Sequence, residues 1–296
     1  MAPLNYAAQY GRELANAYPY LSYYGDLWNA GESQRFKPLS GKTVYIPYMT
    51  IANGATAADR DNLTGVFARN FDINWQPCAL EMDREWSTLI DPLDMIETNE
   101  VATIANVTKT FNEFQKVPEM DAYMSQKLAG FATAASQVDS TVLTTANILE
   151  KWDAALEAMA ENRINRDRLR CKMTPATYKL LKEAAGLTRF VETNNGIQGV
   201  DRNIARLDGV RIEEVPSDML KTLYTFTTGW AVDASASQIN FVLYDTMAIA
   251  APVVYDTSMI SAPGANTKGK YLYYERYYYG VFALNQRAKG VYANIN

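Results

Sequence analysis

The run Thr43-Val-Tyr-Ile-Pro-Tyr-Met-Thr-Ile51 has the β-branched and aromatic content of a strand. Pro47 cannot donate to a ladder, so this strand belongs on a sheet edge or at a bulge. A polar stretch follows from Ala52 to Arg69, with Asp59, Arg60 and Asp61 inside it. A second strand then alternates Phe71, Ile73 and Trp75 against Asn70, Asp72 and Asn74. Together they predict an extended β-hairpin with a charged tip. A two-stranded ribbon is marginal by itself in water. The apolar side chains of Val44, Ile46, Ile73 and Trp75 must therefore find another surface. Whatever this chain folds into has to supply one.

Residues 1–41 make the same demand. Tyr6, Tyr10, Tyr18, Tyr20, Tyr23, Tyr24, Trp28 and Phe36 are scattered among Gly, Pro, Ala and Asn with no period of 3.6 or 2. The segment is too apolar for a disordered tail and too irregular for one long element. It needs a surface to lie on, either its own core or a neighbouring subunit.

The remaining 255 residues, 42 to 296, are enough for a sizeable core. Of the whole chain, 48% is hydrophobic and 21% charged, a globular balance. A net charge of −5 argues against generic binding to nucleic acid or acidic membranes. The chain has no histidine, which rules out Ser-His-Asp and Cys-His catalysis and any His-ligated zinc. Its two cysteines, Cys78 and Cys171, exclude a disulfide scaffold and fit a reducing compartment. Met1-Ala-Pro-Leu-Asn-Tyr6 has neither the basic nor the apolar region of a secretion signal, and no apolar run reaches the ~20 residues of a membrane span.

Beyond the hairpin, Asp91-Pro92 offers an N-cap and first helical position. Ile104, Val107, Phe111 and Phe114 recur with helical spacing, and Met124, Leu128 and Phe131 continue that face past Pro118. The pattern predicts one long, kinked helix over about 98–135. Asn147 and Glu150 have the spacing of a capping box ahead of a helix that buries Ile148, Trp152, Leu156 and Met159. Thr174-Pro175 opens another helix through Leu181. The remainder reads as strands at 210–215, 222–227, 239–244, 248–255, 271–284 and 291–295, giving an α+β fold class.

Few residues suggest a chemical site. Asp91, Asp94, Glu97 and Glu100 could share a helix face and hold a hard cation, but acids are also favoured near helix N-termini, and no Gly-turn calcium loop accompanies them. Arg166, Arg168, Arg170 and Lys172 alternate as a basic stripe. In an acidic chain with Glu157, Glu161 and Asp167 nearby, structural pairing is the better reading than phosphate contact. Among the glycines and serines there is no nucleotide-binding or nucleophile-elbow motif. The strand from Tyr271 carries tyrosines on both faces, with Tyr277 and Tyr279 on one and Tyr274 and Tyr278 on the other. Buried hydroxyls need partners, so this pattern predicts a protein–protein interface more than a simple core.

Three stretches carry a likeness to a known family. They are Asp83-Arg-Glu-Trp-Ser-Thr-Leu-Ile-Asp-Pro-Leu-Asp-Met-Ile-Glu-Thr-Asn99, the Phe111–Leu128 stretch around Val117-Pro-Glu-Met-Asp-Ala-Tyr123, and Met173-Thr-Pro-Ala-Thr-Tyr-Lys-Leu-Leu181 with Leu207-Asp-Gly-Val-Arg-Ile-Glu-Glu-Val-Pro216 behind it. With the C-terminal strand, their order and spacing resemble the major capsid proteins of tailed bacteriophages, which have the Hong Kong 97-type fold. The resemblance implies an N-terminal arm at 1–41, an extended loop (E-loop) at 42–90, and a peripheral domain with a spine helix at 91–145. It implies an axial domain at 146–264 and C-terminal strands at 265–296 that complete the peripheral domain.

It further implies a protein without catalysis, cofactor or metal. Such a chain assembles with itself into hexamers and pentamers in the bacterial host cytoplasm and ends in the virion capsid. It encloses double-stranded DNA that it contacts weakly, with no membrane involved. A separate scaffolding protein, a portal and a decoration protein are the expected partners. Inter-subunit contacts then fall to Tyr6, Tyr10, Tyr24 and Trp28 in the arm, to Val44, Ile46, Asp59, Arg60, Asp61, Arg69, Ile73 and Trp75 in the hairpin, and to Tyr277 and Tyr279. The rival readings are an encapsulin-type cargo compartment on the same fold and a metal-free soluble α+β enzyme.

Overall fold

The computed structural model describes residues 22–29, 38–40, 42–52, 70–93, 104–184, 193–194, 197–198 and 204–296. Its elements, in chain order, begin with a single helical turn, α1 (Gly25–Trp28), and β1 (Pro38–Ser40). The ribbon strands β2 (Thr43–Ile51) and β3 (Phe71–Ala79) follow, then β4 (Met82–Ile90). Next come α2 (Ile104–Phe111), a π-helical turn over Asn112–Lys116, α3 (Val117–Ala134), β5 (Val138–Asp139) and α4 (Ile148–Glu161). After β6 (Leu169–Met173) and α5 (Pro175–Glu183) lie the short β7 (Thr193–Asn194), β8 (Ile197–Gln198) and β9 (Arg206–Leu207). The rest are β10 (Val210–Glu214), β11 (Tyr224–Thr225), β12 (Ala231–Val232), β13 (Ile239–Asp245), β14 (Ile249–Ala250), β15 (Val253–Ser261), β16 (Tyr271–Tyr279), β17 (Phe282–Ala283) and β18 (Val291–Ile295).

Three sheets organise the chain. The ribbon β2–β3 is antiparallel, pairing Thr43 with Ala79 at its base and Ile51 with Phe71 at its far end. β1 covers only the base of β2, and among the described residues no strand pairs with β2 beyond it, which leaves Pro47 on an edge as expected. A second antiparallel sheet has the order β15-β16-β4. The long strand Met82–Ile90 in it pairs residue for residue with Tyr279–Tyr271; sequence patterning had not separated it from the ribbon. The third sheet, β5-β18-β13-β6-β10-β9, is mixed, with β10 parallel to β6 across the α5 crossover.

That six-stranded sheet is covered on both sides. Phe241 and Leu243 of β13 join one core with Trp152, Leu156 and Met159 of α4 and with Tyr178 and Leu181 of α5. Val242 and Tyr244 point the other way, into a core with Met120, Met124 and Leu128 of α3 and with Tyr277 and Tyr279 of β16. Strand periodicity of two thus feeds two cores, which is why β13 reads as an unbroken apolar run. The helix α3 lies between two sheets and is buried on most sides, so it has little amphipathic contrast.

Several local expectations are corrected. The long helix is described from Ile104 to Ala134, and its irregularity is a π turn just ahead of Pro118. A proline lacks the N–H for an i to i−4 bond, and its ring crowds the carbonyl four residues back. A wider turn, with Val117 N–H bonding the Asn112 carbonyl, lets the helix continue through this point. The capping box at Asn147 does not form. Asn147 Oδ1 instead accepts from Thr144 N–H at 2.8 Å, and its amide donates to the Val142 carbonyl. The cap at Thr174 does form, accepting from Thr177 N–H at 3.3 Å. The expected strands 248–255 and 271–284 are each broken, before β15 at Pro252 and after β16 at Gly280. Of the expected strand 222–227 only Tyr224–Thr225 is extended, paired with Ala231–Val232.

Gly290 marks a close approach. Its N–H bonds the Arg287 carbonyl and its carbonyl accepts from Asp245 N–H at 2.8 Å, which draws the turn before β18 onto β13. A Cβ here would lie 2.5 Å from the Ala248 Cβ and 3.0 Å from the Arg287 carbonyl oxygen. We expect Gly290→Ala to cost about 1–3 kcal/mol of stability, the range for overpacking, seen as a lower midpoint in thermal or urea unfolding.

Candidate inter-subunit surfaces

The pairing register sorts the ribbon side chains onto two faces. Val44 lies opposite Cys78, and Ile46 opposite Gln76. Pro47 faces Trp75, Met49 faces Ile73, and Ile51 faces Phe71 on the other side. Val44 and Ile46 are buried at the ribbon base. There Ile46 and Cys78 pack on Ala250, Phe282 and Leu284 of the chain's own body. Two glutamines fix the angle of the ribbon. Gln76 donates to the Ala283 carbonyl and accepts from Asn285 N–H, both at 3.2 Å, and Gln286 donates to the Met49 carbonyl at 2.7 Å. Beyond Pro47 the apolar residues change phase, and they emerge on the opposite face. Met49 is 50% exposed, Ile51 71%, Ile73 51% and Trp75 55%, with Phe71 beside them. This corrects the expectation that Val44, Ile46, Ile73 and Trp75 share one side. Sequence reading grouped Phe71 with Ile73 and Trp75 but missed Met49 and Ile51, which antiparallel pairing about the polar tip would have added to them.

Other expected contact residues serve inside the chain. Tyr24 and Trp28 are buried at α1, and Tyr277 and Tyr279 on the core face of β16, which places these four side chains inside the subunit. On the core face of β16, tyrosine hydroxyls have carboxylate partners that the sequence did not reveal. Tyr279 donates to Glu119 Oε1 at 3.1 Å, and Tyr273 on the same face donates to Glu275 Oε2 at 3.0 Å. Buried carboxylates therefore make a tyrosine face into a core. Tyr6, Tyr10, Asp59, Arg60, Asp61 and Arg69 lie outside the described residues, as do Asp94, Glu97 and Glu100. Asp91 itself pairs with Lys270 at 3.4 Å.

The start of α3 is where the units meet. Lys116 forms a fully buried ion pair with Glu275 and lies 4.2 Å from the Tyr277 ring centroid. Glu119 pairs with Arg84 of β4 at 2.7 Å, and Arg84 also donates to the Phe226 carbonyl. Asp121 takes the N-terminal segment, accepting from the Ser22 hydroxyl at 2.6 Å and from Tyr23 N–H at 2.7 Å. The Ser125 hydroxyl bridges the Tyr24 hydroxyl and the Met219 carbonyl. Asp26 then reaches the six-stranded sheet, accepting from the Tyr244 hydroxyl at 2.8 Å and lying 3.9 Å from Lys172.

The basic stripe is divided among such pairs. Arg166 and Arg168 belong to a 3-10 turn, not to the strand, so the four cations do not share one face. Lys172 is buried against Glu213 and Asp26, Arg168 pairs with Asp245 at 3.3 Å, and Arg170 donates to the Asp167 and Leu169 carbonyls. Among the described residues no group of three or more Cys, Asp or Glu is placed to hold a metal ion. No described helix is long and apolar enough to cross a membrane.

No protein-family model matches the sequence, and no curated protein does. Solved structures do match, and they place the architecture in the fold class of phage capsid subunits. The mature capsid of bacteriophage PhiM1 aligns with TM-score 0.59 at 15% identity, over 86% of this chain and 82% of that one. The capsid of the cyanophage P-SCSP1u aligns with TM-score 0.55 at 14% identity, over 86% and 84%. A virus-like particle from Pyrococcus furiosus aligns with TM-score 0.53 at 9% identity, over 98% and 100%.

Two measurements test the polar junction. Removing one partner of a buried ion pair strands the other charge, so Glu275→Gln is expected to cost about 3–5 kcal/mol. The double substitution Lys116→Met with Glu275→Leu should recover most of that in urea unfolding. Burial pushes the Asp121 carboxyl up to about 6, against the lowering effect of the Ser22 hydroxyl, the Tyr23 N–H and Lys172. The folded state then holds a proton that the unfolded state has lost between about pH 4 and pH 6. Through this group stability falls as pH rises across that window, by roughly 3 kcal/mol in all. Unfolding midpoints of Asp121→Asn should show a correspondingly flatter profile between pH 4 and pH 7.

Proposed function

We propose that this chain is a major capsid protein, which assembles as hexamers and pentamers into the icosahedral shell around the double-stranded DNA of a tailed phage. The observation that carries the reading is the outward face of the ribbon. Five large apolar side chains stand on a stiff strand pair, aimed away from the body by the phase change at Pro47. A contiguous apolar face of this kind marks an interaction site. The match in fold to phage capsids supports a second copy of the chain as what covers it.

In this reading residues 1–41 are the arm, 42–90 the E-loop, 91–145 with 265–296 the peripheral domain, and 146–264 the axial domain. Scaffolding is a separate protein, a portal occupies one vertex, and a decoration protein is a further candidate partner. Assembly takes place in the host cytoplasm and the product is the virion capsid. The role requires no catalysis. DNA is enclosed, with little attraction from an acidic chain.

An encapsulin-type compartment is the second reading, favoured by the end-to-end likeness to the Pyrococcus furiosus virus-like particle. Nucleic acid recovered from native particles supports the phage shell, and a protein cargo without nucleic acid supports the compartment.

Burying each exposed ribbon side chain is worth roughly 1.5–3 kcal/mol. Met49→Ser with Ile73→Ser changes two exposed residues and should leave the subunit folded by circular dichroism. Trimming Ala52–Arg69 to an Asn-Gly turn should do likewise. Both are expected to give soluble subunits or capsomers and no closed particles by negative-stain microscopy, with scaffold present. Normal shells from both variants would remove the ribbon from the interface.

A further inference from the structure

Two charged surfaces of opposite sign stand on the two sides of the six-stranded sheet. The first is a row of arginines. Arg206 of β9 lies directly opposite Arg211 of β10, and Arg211 lies opposite Arg170 of β6. Their neighbours Leu207, Val210 and Cys171 turn into the core under α4 and α5, so the three arginines project from the other face. On that face α3 packs on β13 and β18, while Arg206 and Arg211 are exposed. Like charges set directly opposite one another on adjacent strands are destabilising. The chain itself relieves them only in part. Glu213 meets Arg211 at 2.8 Å but also pairs with the buried Lys172, and Arg170 donates to main-chain carbonyls. Among the described residues no carboxylate pairs with Arg206.

The second surface is on α4. Glu150, Asp153, Glu157 and Glu161 recur at intervals of three and four, and all are exposed. At about 100° per residue the four lie within about 80° of one another, on the side of the helix opposite Trp152, Leu156 and Met159. Like charges four apart on a helix repel. Among the described residues no cation pairs with them: Lys151 turns to Asp139 at 3.7 Å, and Lys182 of α5 lies over the Tyr178 ring.

The acids thus point away from the sheet on one side and the arginines on the other. The two surfaces of one copy cannot meet. Each meets its complement on a second copy by head-to-tail stacking, which leaves one surface of each kind free at the ends and closes only as a ring. Their sizes agree. The row crosses three strands about 4.8 Å apart and so spans about 10 Å. The stripe runs about 16 Å along its helix. A nucleic-acid backbone or an acidic partner protein would answer the arginines and leave α4 unrelieved, whereas a second copy answers both.

We propose that the acidic face of α4 in one copy docks across Arg170, Arg211 and Arg206 of the next. The inference rests on the shell reading and names an electrostatic contact within its rings, separate from the ribbon. Exposed charge pairs add little strength each, so this contact sets orientation and association rate more than affinity.

Charge reversal with rescue tests it. The variants are Arg206→Glu with Arg211→Glu, Asp153→Lys with Glu157→Lys, and all four together, each checked for folding by circular dichroism. Should Arg211→Glu disturb Glu213 and prevent folding, Arg206→Glu is used without it. Either reversed pair alone sets like charges face to face at every joint. Closed particles counted by negative-stain microscopy, with scaffold present, should then fall at least about tenfold. The combined variant restores opposite signs across the joint and should recover most of them. Normal shells from either reversed pair overturn this contact and leave the shell reading intact. A loss that the folded combined variant fails to recover also overturns it, because the arginines then answer some other acidic ligand. Unmodified chain that makes no particles with scaffold present overturns the shell reading and this contact with it.

Discussion

The π turn and the start of α3 carry charge into the middle of the molecule, and other parts of the fold are arranged to meet it. Lys116, Glu119 and Asp121 are all buried. Each is answered by a different part of the chain. Glu275 on β16 takes the first, Arg84 on β4 and the Tyr279 hydroxyl take the second, and the segment Ser22–Tyr23 takes the third. An ionic group in a core is tolerable only when its partners are held in place. The three-stranded sheet and the N-terminal segment are therefore bound to one stretch of one helix, and Asp26 of that segment carries the link on to the six-stranded sheet. This gives specificity of arrangement more than net stability, since a well-packed apolar substitute for such a pair is often as stable.

That interior explains the division of labour at the surface. Tyrosines, which ordinarily mark interfaces, are consumed by the buried carboxylates of the junction, and α1 disappears into the same core. Among the side chains left outside, five hydrophobes are gathered on one face of the ribbon. Because Gln76 and Gln286 fasten the ribbon base and Val44 and Ile46 pack beneath it, the exposed half is held out in a fixed direction. A pre-aimed apolar face loses little conformational entropy on docking, which raises the yield from a small contact area.

The sequence disclosed the parts whose pattern is local. Thr174-Pro175 announced a capped helix, and the alternation in Phe71–Trp75 announced a strand whose apolar face is the exposed one. The long helix was visible through Pro118 because the apolar period persists on either side. Features that depend on what lies opposite were not visible. The partner that lets the Tyr279 hydroxyl be buried is Glu119, more than 150 positions away in the chain. The register that puts Val44 and Ile73 on opposite faces needs the pairing of two strands, not the composition of either. Asn147 has the residue type of a cap, yet its amide is drawn to Thr144 and Val142 by a turn that no spacing rule anticipates. Met82–Ile90 does not read as a strand because its Asp-Arg-Glu run looks like a solvated segment, when Arg84 in fact pairs inward with Glu119.

Under the proposed shell function, the modest energetic scale of the ribbon surface has a use. Five partly exposed hydrophobes at roughly 1.5–3 kcal/mol each, less the cost of bringing two bodies together, leave a contact that is weak when made once. A head-to-tail ring lets every copy both give and receive that contact, and after closure each copy is held twice. Loss then requires two contacts to break together, and the second of them acts at high effective concentration. Weak single contacts can open and re-form while an assembly is still incomplete, so misplaced copies leave. Strength arrives only with closure. Under the proposed shell function, an interior fixed by buried ion pairs and modest exterior contacts would favour that order of events: rigid subunits first, then reversible association, then a closed and stable shell.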